Sequence, residues 1–245
     1  MEEKIEAKME EKIEEKMEEK IEAKTETKIE AKIEAIKFEI IIKEEEYLEF
    51  TQPYRDAMSA LQVKLEVLNL DYRRKYANYP IHYIQSRLKK KESIEKKLAL
   101  KNMEISVQSA QDNLTDIAGV RVICYFEEDV YTLVNLIKKQ SDMIVIKECD
   151  YIEKPKTNGY RSYHLVLGIP VYHTDGKQYY PVEIQFRTMS MDFWASMEHR
   201  ICYKADEEKK QNVRDEFMSY SCALEHMEKN MYAICKTSNK IIVTE

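Results

Sequence analysis

The chain has 245 residues, of which 44% are hydrophobic and 34% are charged, and its formal net charge is -6. This length suits one ordinary domain with extensions, because single hydrophobic cores stop growing at roughly 250 to 300 residues. The charge comes from the first 46 residues, which hold 17 Glu and 10 Lys, while the rest hold 29 Lys and Arg against 28 Asp and Glu. This balance excludes anion binding by bulk charge, so an anion site must come from local clusters of basic residues.

Two further features of the composition bear on the compartment. The chain has no run of 18 apolar residues and no basic segment followed by an apolar one at its start, so we expect neither membrane spanning nor secretion. The cysteines are odd in number, lack C-x-x-C spacing and mostly have apolar neighbours, as reduced core thiols do. We therefore expect a cytoplasmic protein without a disulfide framework. The five cysteines are Cys124, Cys149, Cys202, Cys222 and Cys235.

Residues 1–36 are a four-residue repeat, [I/M/T]-E-[E/A/T]-K, that runs nine times and degrades in its last unit. Its composition favours helix, but four residues advance ~400° on a helix, so the apolar stripe drifts by ~40° per unit and forms no coiled-coil seam. We expect residues 1–46 to form a low-complexity, solvated charged helix without a catalytic role, whose deletion leaves activity intact. The alternative is an arm for assembly or partner binding.

The next part of the chain predicts helices. A helix is expected over residues 47–76, followed by the short apolar patch IHYI and a second helix over 92–102. Apolar residues recur at helical spacing in the first of these helices, at Met58, Leu61, Leu65 and Leu68.

The pattern then changes to strands rich in β-branched and aromatic residues. We predict strands over 119–126, 143–152, 162–173 and 177–188, a helix over 127–140 between the first two, and helices over 189–205 and 207–236 before a tail at 237–245. Asp175-Gly176 predicts a two-residue hairpin between the last two strands. The order predicts an α+β fold in which helices flank a mixed sheet.

A basic cluster, RLKKKESIEKK, spans residues 87–97. It concentrates positive charge at the start of a predicted helix, where phosphates bind well. The alternative is a solvated basic face.

Asp116 in LTDIAGVR stands just before a strand that carries Arg121. This arrangement can place a carboxylate for a metal at a sheet edge with a cation beside it. Asp116 is equally consistent with a helix cap or a turn.

The strand VEIQFRT, residues 182–188, places Glu183, Gln185 and Arg187 on one face and apolar residues on the other. Burial of polar residues without hydrogen-bond partners costs free energy, so that face is either exposed to solvent or lines a site.

The segment KPKTNGYR, residues 154–161, combines an Asn158-Gly159 turn with Lys154, Lys156, Arg161 and Tyr160. The cations suit phosphates, and the tyrosine offers a flat face on which a base can stack. The alternative is an exposed hairpin tip whose polar and aromatic side chains bind no ligand. With the preceding motifs, the segment describes a pocket for magnesium, nucleotide phosphates and a base.

Three stretches together, DIAGVRVICYF, YIEKPKTNGYRSYHLVL and VEIQFRTMSMDFWASMEHRICYK, resemble the synthetase domain of the RelA/SpoT family, and above all its small, single-domain alarmone synthetases. The resemblance covers residues 47–236. It implies a nucleotidyltransferase-like fold and a Mg²⁺-dependent GTP pyrophosphokinase that moves the β,γ-diphosphate of ATP to the 3′-hydroxyl of GDP or GTP. It also implies a homotetramer built by the C-terminal helices.

The resemblance also assigns site residues. It places Asp116 and Glu183 as metal ligands and catalytic carboxylates, with Glu183 assisting deprotonation of the attacking hydroxyl. For ATP it implies Arg87, Lys89, Ser93, Lys97 and Arg121. For GDP or GTP it implies Lys156, Tyr160 and His164, with Asn158 and Gln185 beside them. His164 has the alternative role of a satisfied histidine on the sheet.

The chain has no His-Asp pair, so we expect synthesis without the metal-dependent hydrolysis of the long family members. Another interpretation is a catalytically idle module on the same fold that binds nucleotide or single-stranded RNA. Loss of Asp116 or Glu183 would favour that interpretation, and both are present.

Overall fold

A computed structural model describes residues 42–202 and 207–242 and has the predicted α+β fold, with one mixed five-stranded sheet. The strand order is β1-β2-β5-β4-β3; β2 and β5 are parallel, and the other neighbouring pairs are antiparallel. Within these ranges no helix is long and apolar enough to cross a membrane. The predicted helix of the acidic repeat lies outside the described residues. The strands are β1 (Ile81–Leu88), β2 (Ala118–Cys124), β3 (Ile144–Asp150), β4 (Tyr163–His173) and β5 (Gly176–Thr188).

Helices precede, interrupt and follow the sheet. The helices are α1 (Glu44–Tyr76), α2 (Lys91–Leu100), α3 (Val107–Asn113), α4 (Glu127–Lys138), α5 (Met189–Cys202) and α6 (Glu207–Ile242). The last helix extends beyond the predicted end at residue 236 into the expected tail. Ile42, just before α1, is 2% exposed and belongs to the core, so the core includes a residue that lies before residue 47.

The core lies between α1 and one face of the sheet. Val182, Ile184 and Phe186 of β5 are fully buried on that face. Leu61 and Leu65 of α1 are fully buried too, because they recur at helical spacing and share one side of the helix. Full burial of each such side chain contributes ~1.5 to 3 kcal/mol. The apolar pattern predicted for α1 is therefore confirmed.

Two elements are absent from the sequence prediction. The IHYI patch belongs to β1, an edge strand paired only with β2, and its alternation is weak because most of its residues are partly or fully exposed. The short α3 follows Ser106, whose hydroxyl accepts a hydrogen bond from the Ser109 N–H. Its seven residues are too few to show a helical period.

The β4–β5 hairpin lies one residue earlier than predicted. His173 pairs with Gly176, so residues 174–175 form the turn and Gly176 begins β5 with φ +139°. The expectation of buried cysteines is right for Cys124, which is buried, and wrong for Cys222, which is exposed. Cys149 and Cys235 are half-buried.

Asp129, at the start of α4, generates a prediction about stability. Its side chain accepts a hydrogen bond from the Phe126 N–H, yet burial raises the pKa of Asp129 to about 6 from an ordinary 3.8. Between about pH 4 and 6 the unfolded chain therefore releases a proton that the native state retains, and stability falls as pH rises through that window. Asp129→Asn keeps an acceptor oxygen and cannot ionise. Its free energy of unfolding should therefore lack the decrease that ionisation of Asp129 causes in this pH window.

Urea unfolding of both proteins from pH 4 to pH 7 measures the difference. The free energy of unfolding of the unmodified protein should decline relative to that of Asp129→Asn by on the order of 2 kcal/mol across this range. Parallel curves would show that Asp129 ionises normally in the folded state.

Candidate active site

Two rows of side chains cross the sheet on the face opposite the core, which we call the site face. Arg87, Gly119 and Glu183 are in register on β1, β2 and β5. Residues opposite each other on neighbouring strands point to the same side. Gly119 contributes no side chain, which leaves open space between Arg87 and Glu183. The second row, in register on β1, β2, β5 and β4, is Gln85, Arg121, Gln185 and His164.

A pocket opens over these rows. Its floor is β2 and β5, and its rim includes Asp116 and Lys89 from the segments that flank α2 and α3. The lining residues are Gln85, Arg87, Lys89, Asp116, Gly119, Val120, Arg121, Glu183 and Gln185.

Asp116 lies between two lysines. Lys89 Nζ is 2.7 Å and Lys97 Nζ is 2.6 Å from Asp116 Oδ2. The backbone positions Lys89, because its N–H donates to the Ile117 carbonyl at 2.8 Å. Burial raises the pKa of Asp116, but the two lysines outweigh it and hold the pKa below its ordinary value. Asp116 is therefore an ionised carboxylate at neutral pH.

Glu183 is the second carboxylate of the pocket. Gln185 Nε2 donates to its Oε2 at 2.9 Å, and His164 Nδ1 is 3.4 Å from its Oε1. Burial raises the pKa of Glu183, but the contacts with His164 and Gln185 outweigh it, so the net pKa is lowered. The carboxylate is ionised and able to accept a proton or bind a cation.

The donor set fits a magnesium ion. Asp116 Oδ1 is buried without a hydrogen-bond partner among the described residues, which leaves one anionic oxygen available. Mg²⁺ commonly uses one or two carboxylates together with substrate phosphates. No group of three or more His, Cys, Asp or Glu side chains in the described ranges could hold a metal alone. A metal bound by Asp116 and Glu183 would therefore depend on phosphate oxygens as well.

The loop between β3 and β4 brings Tyr160 into contact with His164, the neighbour of Glu183. The Tyr160 hydroxyl lies 2.8 Å from His164 Nε2, so His164 connects Tyr160 to Glu183. The Tyr160 backbone N–H donates to Asn158 Oδ1 at 3.2 Å, and Lys156 Nζ lies 4.8 Å from the centre of the Tyr160 ring. Both nitrogens of His164 thus contact predicted site residues.

The structure divides the predicted residues into four groups. The pocket is lined by the two carboxylates, Asp116 and Glu183, and also by Lys89, Arg87, Arg121 and Gln185. Lys97 and His164 reach it through Asp116 and Glu183. Ser93 is exposed in the first turn of α2. The remaining residues, Lys156, Asn158 and Tyr160, lie on the loop.

Arg161 does not offer its charge to a ligand, contrary to the role suggested by the sequence. It is 6% exposed, and its guanidinium pairs with Glu127 at 2.8 Å and Glu225 at 3.5 Å. These partners lie on α4 and α6, distant in sequence, so the segment itself could not reveal them. Arg161 therefore ties the loop to two helices.

Sequence reasoning also missed Asp192. Its Oδ1 is 3.0 Å from Arg187 Nη1 and 3.3 Å from Arg121 Nη1. Arg187 Nη2 in turn donates to the Tyr160 hydroxyl at 3.0 Å. The position of Asp192, five residues after Arg187 at the turn from β5 into α5, is the only sequence signal of this contact.

The pocket on this mixed sheet brings together two ionised carboxylates, Lys89 and two arginines, a set that suits the binding of phosphate groups. The profile "Region found in RelA / SpoT proteins" matches residues 86–208. The chain belongs to this RelA/SpoT family.

Named relatives and solved structures agree with this assignment. The chain is 39% identical over 183 residues to GTP pyrophosphokinase YwaC of Bacillus subtilis, covering 75% of this chain and 87% of that protein. It is 35% identical to GTP pyrophosphokinase YjbM of the same organism over 66% of this chain and 75% of that one. Small alarmone synthetase 1 of B. subtilis, bound to its product pppGpp, superposes with a TM-score of 0.71 at 32% identity, over 80% of this chain and all of that one.

Gly159 and Gly119 give a matched pair of variants. Gly159 has φ +91°, and an added Cβ would lie 3.0 Å from Ser221 Cβ and 3.1 Å from Met218 Cα on α6. A Cβ added at Gly119 would lie no closer than 3.8 Å to its nearest neighbour, the Arg87 carbonyl oxygen. We expect Gly159→Ala to reduce the free energy of unfolding by about 1 to 3 kcal/mol, because it adds backbone strain and crowding.

Gly119→Ala should stay within about 0.5 kcal/mol of the unmodified protein. Urea unfolding of the three proteins at one pH is the measurement. An equal loss in both variants would contradict the tight packing of the loop against α6.

Proposed function

We propose that this protein is a GTP pyrophosphokinase that transfers the β,γ-diphosphate of ATP to the 3′-hydroxyl of GDP or GTP, with AMP and ppGpp or pppGpp as products. The observation that carries the proposal is the pocket in which Asp116, held by two lysines and with one unpartnered oxygen, faces the same space as Glu183. The names of the relatives support the same reaction. An alarmone synthetase of this kind acts in the stringent response.

The donor side of the site is formed by α2, β1 and β2. Arg87 and Arg121, on neighbouring strands, hold the adenine between their planar guanidinium groups. Lys89, Ser93 and Lys97 hold the phosphates of ATP, and the lysines already face an anion, the Asp116 carboxylate. A solved relative, small alarmone synthetase 1 of B. subtilis bound to AMPCPP, has a TM-score of 0.65 and 27% identity, over 79% of this chain and 99% of that one. Its ligand supports a nucleotide site of this kind.

Mg²⁺ would be held by Asp116, whose Oδ1 has no hydrogen-bond partner among the described residues, and by Glu183, which lines the same pocket. A bound magnesium ion supplies neutralisation of the charge that develops on the transferring phosphates. The protein contributes positioning and cationic stabilisation around it, since a diphosphate in transfer carries several negative charges.

The acceptor side of the site is formed by the β3–β4 loop and the neighbouring ends of β4 and β5. The guanine stacks on Tyr160, with Lys156, Asn158, His164 and Gln185 around the nucleotide. Glu183 accepts the proton of the 3′-hydroxyl as that oxygen bonds to the β-phosphorus and the bond from this phosphorus to AMP breaks. Its lowered pKa keeps it ionised for this role, and His164 holds it in place.

The C-terminal helices support a homotetramer. Between α5 and α6 lies an apolar groove of about 580 Å³ lined by Phe193, Trp194 and Phe217 among others. Phe193 is 58% exposed and Tyr220 is 52% exposed, which is unusual for such large side chains unless a partner covers them. We expect the protein to work in the cytoplasm, where ATP and GTP are supplied. A catalytically idle RNA-binding module is not favoured, because both carboxylates stand in the pocket.

Glu183→Gln tests the function directly. The purified protein with Mg²⁺, ATP and GDP or GTP should yield AMP and a guanosine tetra- or pentaphosphate, resolved by anion exchange. Glu183→Gln keeps the shape but cannot take the proton, and it should lower the rate by ~10² or more. Glu66→Gln, on the exposed side of α1, is the matched control and should retain full activity. A folded protein that gives no product would contradict the proposed function.

A further inference from the structure

One carboxylate oxygen connects the two halves of the site. Asp192 Oδ1 is within ion-pair distance of Arg121 on β2 and of Arg187 on β5, at 3.3 and 3.0 Å. Arg121 lines the pocket, whereas Arg187 is 6% exposed beneath it. The two guanidinium groups carry like charges and share the same acceptor oxygen.

Arg187 transmits this contact to the acceptor loop. Its Nη2 donates to the Tyr160 hydroxyl at 3.0 Å and to Gln185 Oε1 at 3.1 Å. The Nε atoms of Arg121 and Arg187 are buried and have no hydrogen-bond partner within the described part of the chain. Asp192 is thus the acidic group that both guanidinium groups share, and the position of each depends in part on how Asp192 is shared.

We propose that Asp192 is a positioning residue that couples donor binding to acceptor binding, an inference that rests on the proposed function. An adenine that stacks on Arg121 draws this guanidinium away from Asp192 Oδ1. The oxygen is then left to Arg187, which holds the Tyr160 hydroxyl more firmly and prepares the ring for guanine. Each nucleotide therefore tightens the binding of the other, and linkage requires the factor to be the same in both directions.

Titration calorimetry measures this coupling without turnover. The dissociation constant of GDP is determined in Mg²⁺ with and without α,β-methylene-ATP, which resists transfer. The unmodified protein should bind GDP about fivefold or more tightly when the analogue is present, within the usual range of coupling between sites. Asp192→Asn, which keeps the side-chain shape and loses the charge, should reduce this factor below about two.

The matched control is Asp142→Asn. Asp142 also pairs with a basic side chain, Lys64 at 2.5 Å, but lies outside the pocket lining. This variant should keep the coupling factor of the unmodified protein. If Asp192→Asn fails to fold, Asp192→Ser replaces it, because serine keeps a neutral acceptor for Arg187.

The outcomes separate the inference from the proposed function. If Asp192 had a purely structural role, Asp192→Asn would weaken the binding of both nucleotides and leave the coupling factor unchanged. This result would overturn the inference. Binding of both nucleotides to the unmodified protein without coupling would overturn it as well and leave the proposed function intact. A protein that binds neither nucleotide would refute both.

Discussion

In the second half of β5 every second side chain faces the core, and this requirement places Glu183 and Gln185 in the site. Val182, Ile184 and Phe186 are fully buried against the core, so Glu183 and Gln185 point to the opposite side. A slip of one residue in the pairing of β5 with β2 would bury two polar groups and expose the apolar ones. The hydrophobic effect on one face therefore fixes the positions of Glu183 and Gln185 on the other.

The second requirement is compensation of buried charge. A buried ion without a partner costs several kcal/mol, and the charged groups of the site occur in compensated sets. Asp116 stands between two lysines, Glu183 contacts His164, and Asp192 serves two arginines. In the proposed mechanism, phosphates of the donor replace Asp116 at Lys89 and Lys97 and so release its carboxylate for a metal.

The sequence allowed most of the sheet and much of the site to be predicted, for physical reasons that can be named. The alternation in VEIQFRT predicts the face of Glu183, and four of the five strands have β-branched or aromatic runs long enough to recognise. The edge strand β1 could not be recognised, because a strand with one neighbour and mostly exposed residues has no need of regular alternation.

The limits within the site have a different origin. Arg161 and Lys156 look alike in sequence, as basic residues of one turn, yet Arg161 is buried by Glu127 and Glu225 from elements far along the chain. The contact of Asp192 with Arg121 is equally invisible in the local sequence, because Arg121 lies far away along the chain, on the strand β2 that pairs with β5. Local patterns report which face a residue takes, whereas charge pairing across the fold decides which basic groups remain available to a ligand.

In the proposed mechanism, Asp116 and Glu183 form one metal site together with the phosphates of the donor. The most direct measurement is the anomalous diffraction of Mn²⁺ in crystals grown with α,β-methylene-ATP and GDP. The proposed metal site predicts a manganese peak bonded to Asp116 Oδ1, to Glu183 and to phosphate oxygens. A peak bonded to phosphates alone, with Asp116 still held by Lys89 and Lys97 and Glu183 by His164 and Gln185, would contradict it.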